Sequence, residues 1–169
     1  KVILTVSAVL IFLPAVLFFF CDFADRPLGE RILCSLFQAV TARTSGFNTA
    51  DLSAMTGVSH AVLIVLMLIG GSPGSTAGGM KTTTAAVLFA NATATFCQRE
   101  SAHFFGRRID STVVKNAATI LIMYVTLMLA GGCAVSLIED LPLSACLFET
   151  ASAVGTVGVS LGITPSHQA

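Results

Sequence analysis

Two short segments of this sequence have the residue types that bind a cation through the protein backbone. They read Arg43, Thr44, Ser45, Gly46, Phe47, Asn48 in the first case and Gly155, Thr156, Val157, Gly158, Val159, Ser160 in the second. Carbonyl oxygens that point inward one after another can replace the hydration shell of a cation. Such a backbone needs angles that a side chain resists and that glycine adopts. The sequence therefore predicts an ion filter lined by the carbonyls of residues 44–48 and 156–160, with Gly46 and Gly158 as its essential glycines.

The two segments belong to a repeat. A shift of 112 residues superimposes four identical pairs, which are Cys34 and Cys146, Ala39 and Ala151, Thr44 and Thr156, and Gly46 and Gly158. Identities at one shift, in the same context, indicate an internal duplication. The second segment is also close to the TVGYG filter sequence of potassium channels. Either segment alone would be read as an ordinary glycine-containing turn, and it is the matched pair that favours a filter.

The composition indicates a lipid environment. Hydrophobic residues make up 54% of the chain and charged residues 11%, whereas a soluble domain has roughly a quarter of charged residues. Nine basic and nine acidic residues give no net charge, so nothing favours a nucleic-acid partner. The five cysteines lack the paired spacings of zinc sites or disulfide frameworks. We expect an all-α integral membrane protein that has no nucleic-acid partner.

Apolar runs of two lengths supply the elements around the filter. Residues 2–20 and 116–138 are long enough to cross a bilayer as outer helices. Residues 31–42 and 142–153 are too short to cross and are predicted to be re-entrant pore helices. The carboxyl end of each pore helix carries about half a negative charge and would point at a cation in the pore. An outer helix, a pore helix and a filter therefore follow one another twice, with the filters at residues 43–48 and 155–160.

A third apolar run, over residues 52–97, is predicted to be an inner helix that is broken at residues 70–79. The small residues of this break and the following lysine are Gly70, Gly71, Ser72, Gly74, Ser75, Thr76, Ala77, Gly78, Gly79 and Lys81. Small residues can line a narrow cavity and change conformation at low steric cost, which predicts a gating loop, the alternative being a kink between packed helices. A phosphate-binding loop is excluded because Met80 stands where that motif requires lysine. Lys81 is placed at the inner mouth, where it senses the gate or extends to the interface.

The side of the membrane follows from the charged tract over residues 98–115, which has four basic residues against two acidic ones. Such an excess is typical of the cytoplasmic side. If residues 52–97 cross once and residues 116–138 cross back, both re-entrant loops enter from the same face. The charge bias and the repeat agree on this topology.

Arg43 and Glu149 are predicted to support the filter. Beside the filter, Arg43 would repel a cation by roughly 4 kcal/mol at about 4 Å and an effective dielectric constant of about 20, so its side chain must point away from the pore. We expect it to pair behind the filter with Glu149 or Asp51, the alternative being an arginine that extends to the outer interface. Glu149 has an alternative of its own, as an acceptor of backbone hydrogen bonds.

Three stretches together resemble the Trk/Ktr/HKT potassium transporter superfamily, in particular its TrkH/KtrB branch. They are residues 41–49, the break followed by Met80, Lys81, Thr82 and Thr83, and residues 152–164. The resemblance implies four repeats of outer helix, pore loop and inner helix around one central pore. Residues 1–97 would be the third repeat, residues 98–115 a cytoplasmic linker and residues 116–169 a partial fourth repeat whose inner helix is missing. We therefore expect the chain to be a piece of a longer one.

The resemblance also implies a function. It predicts potassium uptake by a multi-pass protein of the bacterial plasma membrane, with potassium as the substrate at the filter, no other cofactor and no enzymatic chemistry. The implied partners are membrane lipid, a second copy in a homodimer and a cytoplasmic nucleotide-binding ring of the KtrA/TrkA type. Two alternatives stay open, a structural subunit that does not conduct and a cation transporter that also passes sodium.

Overall fold

A computed structural model describes residues 2–43, 46–47, 52–74, 78–98, 103–104 and 107–162. In these ranges the regular elements are helices and a two-residue antiparallel strand pair, β1 (His103–Phe104) and β2 (Arg107–Arg108), joined by turns and loops. The helices are α1 (Val2–Cys21), α2 (Leu28–Thr41), a 3-10 turn (Leu52–Ala54), α3 (Gly57–Leu68), α4 (Thr82–Phe96), α5 (Ser111–Glu139) and α6 (Leu143–Val154).

Two helices begin earlier than the sequence pattern indicated. α5 begins at Ser111 because the carboxylate of Asp110 caps it, accepting a hydrogen bond from the Thr112 amide at 3.4 Å. The predicted linker over residues 98–115 is therefore shorter than expected. α2 begins at Leu28 because Pro27, at φ −56°, occupies its N-cap and fixes the chain at the start of the first turn. The run over residues 52–97 is divided into the 3-10 turn, α3 and α4, and its break extends over residues 69–81.

α1 and α5 are long and apolar enough to cross a membrane. Of the most apolar stretch of each helix, only 17% is buried in α1 and 11% in α5. A core helix of a soluble protein would be mostly buried, so this exposure indicates that the apolar faces of α1 and α5 contact lipid or other protein. α3 and α6 are apolar but shorter.

Each half of the chain has a long helix that packs against a shorter one. α1 packs against α2, and α5 packs against α6, while α3 packs on α6 and connects the halves. The core between them is formed by the fully buried side chains of Phe18, Phe148, Leu63, Leu66 and Met67. α5 and α6 approach closely at Gly132, where an added Cβ would lie 2.6 Å from Leu147 Cδ2. α6 therefore lies against both α5 and α3.

The connection that follows α1 is held by one carboxylate. Asp22 Oδ1 accepts a hydrogen bond from the Thr56 amide at 2.8 Å, and its second oxygen accepts one from the Ser59 hydroxyl. Thr56 is itself the N-cap of α3, and its hydroxyl accepts a hydrogen bond from the Ser59 amide at 3.4 Å. The end of α1 and the start of α3 are thus joined through Asp22, which also places a negative charge at a helix N-terminus.

Replacing Asp22 by alanine is expected to destabilise the protein by about 1 kcal/mol, the usual effect of removing a helix-capping side chain. The measurement is the apparent unfolding temperature of the detergent-solubilised full-length protein. Asp25→Ala is the matched control, because Asp25 lies exposed on the same connection. Equal unfolding temperatures for the two variants would show that Asp22 does not hold the start of α3.

Candidate cation site

The segments that follow α2 and α6 lie against each other. We call them the first glycine loop (residues 43–48, of which Arg43, Gly46 and Phe47 are described) and the second glycine loop (residues 155–160). Gly46 has φ +70° and Gly158 has φ +82°, a region that favours glycine. A Cβ on Gly46 would lie only 2.3 Å from the carbonyl oxygen of Val157. The two segments that the repeat aligned are therefore direct neighbours, and the contact requires glycine in the first of them.

Each glycine loop begins at the carboxyl end of a short helix. At the end of α6, the Gly155 amide donates to Ala151 O at 2.8 Å and the Val157 amide donates to Ser152 O at 2.9 Å. At the end of α2, the Ala42 amide donates to Gln38 O at 3.2 Å, and the Thr41 hydroxyl donates to Phe47 O at 3.0 Å. Helix carboxyl ends carry partial negative charge. Both loops are thus placed where the backbone favours a cation.

The second glycine loop lines an open cavity of about 450 Å³. The cavity is bounded by Glu149, Ser152, Ala153, Thr156, Val157, Gly158, Val159 and Ser160. Along the loop, Val157 and Val159 are buried while Thr156 and Gly158 are exposed. The valines therefore fix the loop in the core, and the residues that alternate with them face the open side, which has room for an ion with part of its hydration shell.

Glu149 holds the far end of the second glycine loop. Its Oε1 accepts a hydrogen bond from the Ser160 hydroxyl at 2.7 Å and another from the Leu161 amide at 2.8 Å. The Ser160 hydroxyl in turn accepts one from the Gly162 amide at 3.0 Å. This matches the alternative in which Glu149 accepts backbone hydrogen bonds. The repeat places Phe37 at the corresponding position of α2, so the two loops are supported differently.

Arg43 has a different partner from the predicted one. Its Nη2 donates to the carbonyl oxygen of Gly70 at 3.4 Å. Within the described ranges Arg43 and Glu149 form no ion pair, because Glu149 is engaged by Ser160 and Leu161, and this part of the prediction was wrong. The alternative pairing with Asp51 lies outside the described residues.

The break in the 52–97 run forms a loop whose two ends meet. We call this meeting point the neck, and it consists of residues 69–70 and 78–80. Ile69 and Met80 pair as an isolated bridge, and the Met80 amide donates to Leu68 O at 2.8 Å. At the neck, a Cβ on Gly70 would lie 2.0 Å from Gly78 O. The Gly78 amide donates to Thr156 Oγ1 at 2.8 Å. The predicted gating segment is therefore in direct contact with the second glycine loop.

The other predicted site residues are placed as follows. Gly71 O accepts a hydrogen bond from the Thr82 amide at 3.2 Å. Gly74 and Gly79 have positive φ angles of +90° and +72°. Ser72 is half-buried, and Lys81 is the half-buried N-cap residue of α4. Thr44, Ser45, Asn48, Ser75, Thr76 and Ala77 lie outside the described residues. The sequence reasoning missed Thr41, whose hydroxyl bonds the first glycine loop. A hydroxyl in the last turn of a helix just before a glycine loop is the signal that could have identified it.

Comparisons with known proteins agree on one family. The family model described as "TrkH: Cation transport protein" matches residues 1–169. The potassium/sodium uptake protein NtpJ of Enterococcus hirae is 34% identical over 98% of this chain and 39% of its own length. The Ktr system potassium uptake protein B is 34% identical in Bacillus subtilis, over 80% of this chain and 31% of the relative, and 33% identical in Vibrio alginolyticus, over 97% and 37%. The chain thus spans about a third of the length of these relatives.

Proposed function

This chain belongs to the TrkH family of cation transport proteins, and we propose that it forms part of the pore of a potassium-uptake protein in the bacterial plasma membrane. The observation that carries the proposal is the meeting of the two glycine loops. Each follows the carboxyl end of a short helix, each has a glycine at positive φ, and they touch at Gly46 and Val157. This arrangement suits a dehydrated cation better than an anion or an organic substrate.

The proposed filter uses backbone carbonyls of residues 44–48 and 156–160. Two loops cover an ion from one side only, so the remaining coordinating groups would come from outside these 169 residues, in the same polypeptide or in another. Potassium is the proposed substrate because relatives that match most of the chain are named potassium-uptake proteins. The proposed order of elements along the chain is the one expected from the repeat, with α1 and α5 as outer helices and α2 and α6 as pore helices.

The break between α3 and α4 is the proposed gating element. Its described residues contact the second glycine loop through Gly78 and the first through Gly70, so its position affects the space beside both loops. By likeness to the relatives named as components of Ktr systems, we further propose a homodimer and a cytoplasmic nucleotide-binding ring as partners. The tract between α4 and α5 is the proposed contact region for that ring.

One specific observation favours a second candidate function, a transporter that also passes sodium. A relative that covers nearly the whole chain is named a potassium/sodium uptake protein. The filters differ in sequence from TVGYG, and a filter that coordinates potassium less completely discriminates less against sodium.

The experiment is growth at low potassium of a bacterium that lacks its own uptake systems. The strain expresses the full-length protein that contains this chain, together with its candidate ring subunit, beside a vector control. We expect rescue of growth, together with rubidium uptake that potassium inhibits. Equal inhibition by sodium would favour the second candidate. Failure of the membrane-inserted protein to rescue growth or to take up rubidium would favour a structural subunit that does not conduct.

A further inference from the structure

We infer that Thr156 and Arg43 are positioning residues that hold the neck of the break, each acting from one of the two glycine loops. The inference rests on the proposed function and extends it. The filter and the break would then not be independent parts, because the side chain that releases the break belongs to a filter residue.

Thr156 makes the closer of the two contacts. Its Oγ1 accepts the hydrogen bond of the Gly78 amide at 2.8 Å. A Cβ on Gly78 would lie 2.3 Å from that oxygen and 2.7 Å from Thr156 Cγ2. The backbone of the break therefore lies directly on the threonine side chain, which only a glycine at position 78 permits. Thr156 itself has φ +54°, which is unusual for a β-branched residue.

Arg43 makes the second contact with the neck. Its Nη2 donates to Gly70 O at 3.4 Å, while its buried Nε has no hydrogen-bond partner within the described part of the chain. Gly70 and Gly78 are themselves in contact, since a Cβ on Gly70 would reach Gly78 O. The neck is therefore held at two adjacent points, one by Arg43, two residues after the end of α2, and one by Thr156, which follows Gly155.

The consequence is that the position of the break is biased by one side-chain hydroxyl. A single net hydrogen bond shifts a two-state population by about threefold to tenfold. Removing it should free the break without changing the carbonyl groups of the filter, which belong to the backbone. We therefore expect a higher maximal uptake rate at an unchanged half-saturating potassium concentration.

The test compares rubidium uptake by the full-length protein in the absence of the ring subunit. Thr156→Val retains the shape and removes the hydroxyl, Thr156→Ser retains the hydroxyl, and Gly78→Ala breaks the contact from the other side. Thr126→Val, at an exposed position of α5, is the matched control for the loss of a threonine hydroxyl. Uptake is normalised to the amount of each protein in the membrane.

We expect the maximal rate to rise about threefold or more in Thr156→Val and in Gly78→Ala, with the half-saturating concentration within about twofold of the parent in both. The serine variant should lie closer to the parent than the valine variant, and the double variant should not exceed the larger single effect, because both changes remove one contact.

Equal effects of valine and serine, or effects of Thr156→Val and Gly78→Ala that multiply, would overturn the inference. Loss of both variants from the membrane would also overturn it, since the contact would then be required for folding and not released during transport. Absence of uptake by the parent is a different outcome, because it would remove the proposed function itself.

Discussion

Replacing Gly46 by alanine is expected to abolish rubidium uptake by the full-length protein, reducing the rate at least a hundredfold. The added Cβ would lie 2.3 Å from Val157 O, and the residue would have to keep φ +70°. The strained backbone alone costs roughly 1–2 kcal/mol for a residue with a side chain. The contact with a backbone oxygen is more severe, because no rotamer change can relieve it. The first glycine loop must therefore move away from the second, and carbonyl ligands displaced by about 1 Å lose their fit to the ion.

Substitutions at two other glycines separate the effect of backbone strain from the effect of the close contact with Val157 O. Gly158→Ala introduces the same positive-φ strain, at φ +82°, into an open space with no atom within 4 Å of the new Cβ, so we expect a clear but smaller loss. Gly57→Ala, at the start of α3, adds a Cβ with no atom within 4 Å and no positive φ, and should transport like the parent. If Gly46→Ala transported as well as Gly57→Ala while present in the membrane at the same level, the two glycine loops would not form a filter together.

The features predicted from the sequence are those that local chemistry determines. The repeat located Gly46 and Gly158 because a backbone at positive φ selects glycine wherever it occurs. The long helices followed from apolar length, and the break followed from its glycines and other small residues. The start of α5 could also have been found, since Asp110 before an apolar run is an N-cap signal. The division into a third and a partial fourth repeat stays a prediction.

The contacts between the parts could not be predicted in the same way. Gly46 meets Val157, Arg43 meets Gly70 and Gly78 meets Thr156, and each contact joins a side chain or a missing side chain to a backbone group far along the sequence. A sequence shows which side chains are charged, but it does not show which backbone groups come within hydrogen-bonding distance of those side chains in the fold. The pairing of Arg43 with Glu149 was wrong for this reason, since both found backbone partners.

Replacing Glu149 by leucine is expected to reduce rubidium uptake at least tenfold. The Leu161 amide and the Ser160 hydroxyl would lose their common acceptor at the end of the second glycine loop. Hydrogen bonds to a charged group are worth about 1.5–3 kcal/mol each, and a buried donor left unsatisfied carries its desolvation penalty. The loop end would move to find other acceptors, and Val159 and Gly158 would move with it because they are connected through the backbone.

Glu149→Gln determines whether the acceptor or the charge is required. Glutamine keeps an oxygen at the same distance along the side chain, so a variant in which this oxygen is only a structural support should retain most of the uptake. A partial loss is expected, because neutral hydrogen bonds are roughly half as strong as charge-assisted ones. Glu30→Leu, an exposed position in the first turn of α2, controls for the loss of a carboxylate near a short helix. A glutamine variant as inactive as the leucine variant would show that the negative charge itself acts on the ion. In that case Glu149 would attract the cation to the cavity beside the loop, which it lines together with Gly158.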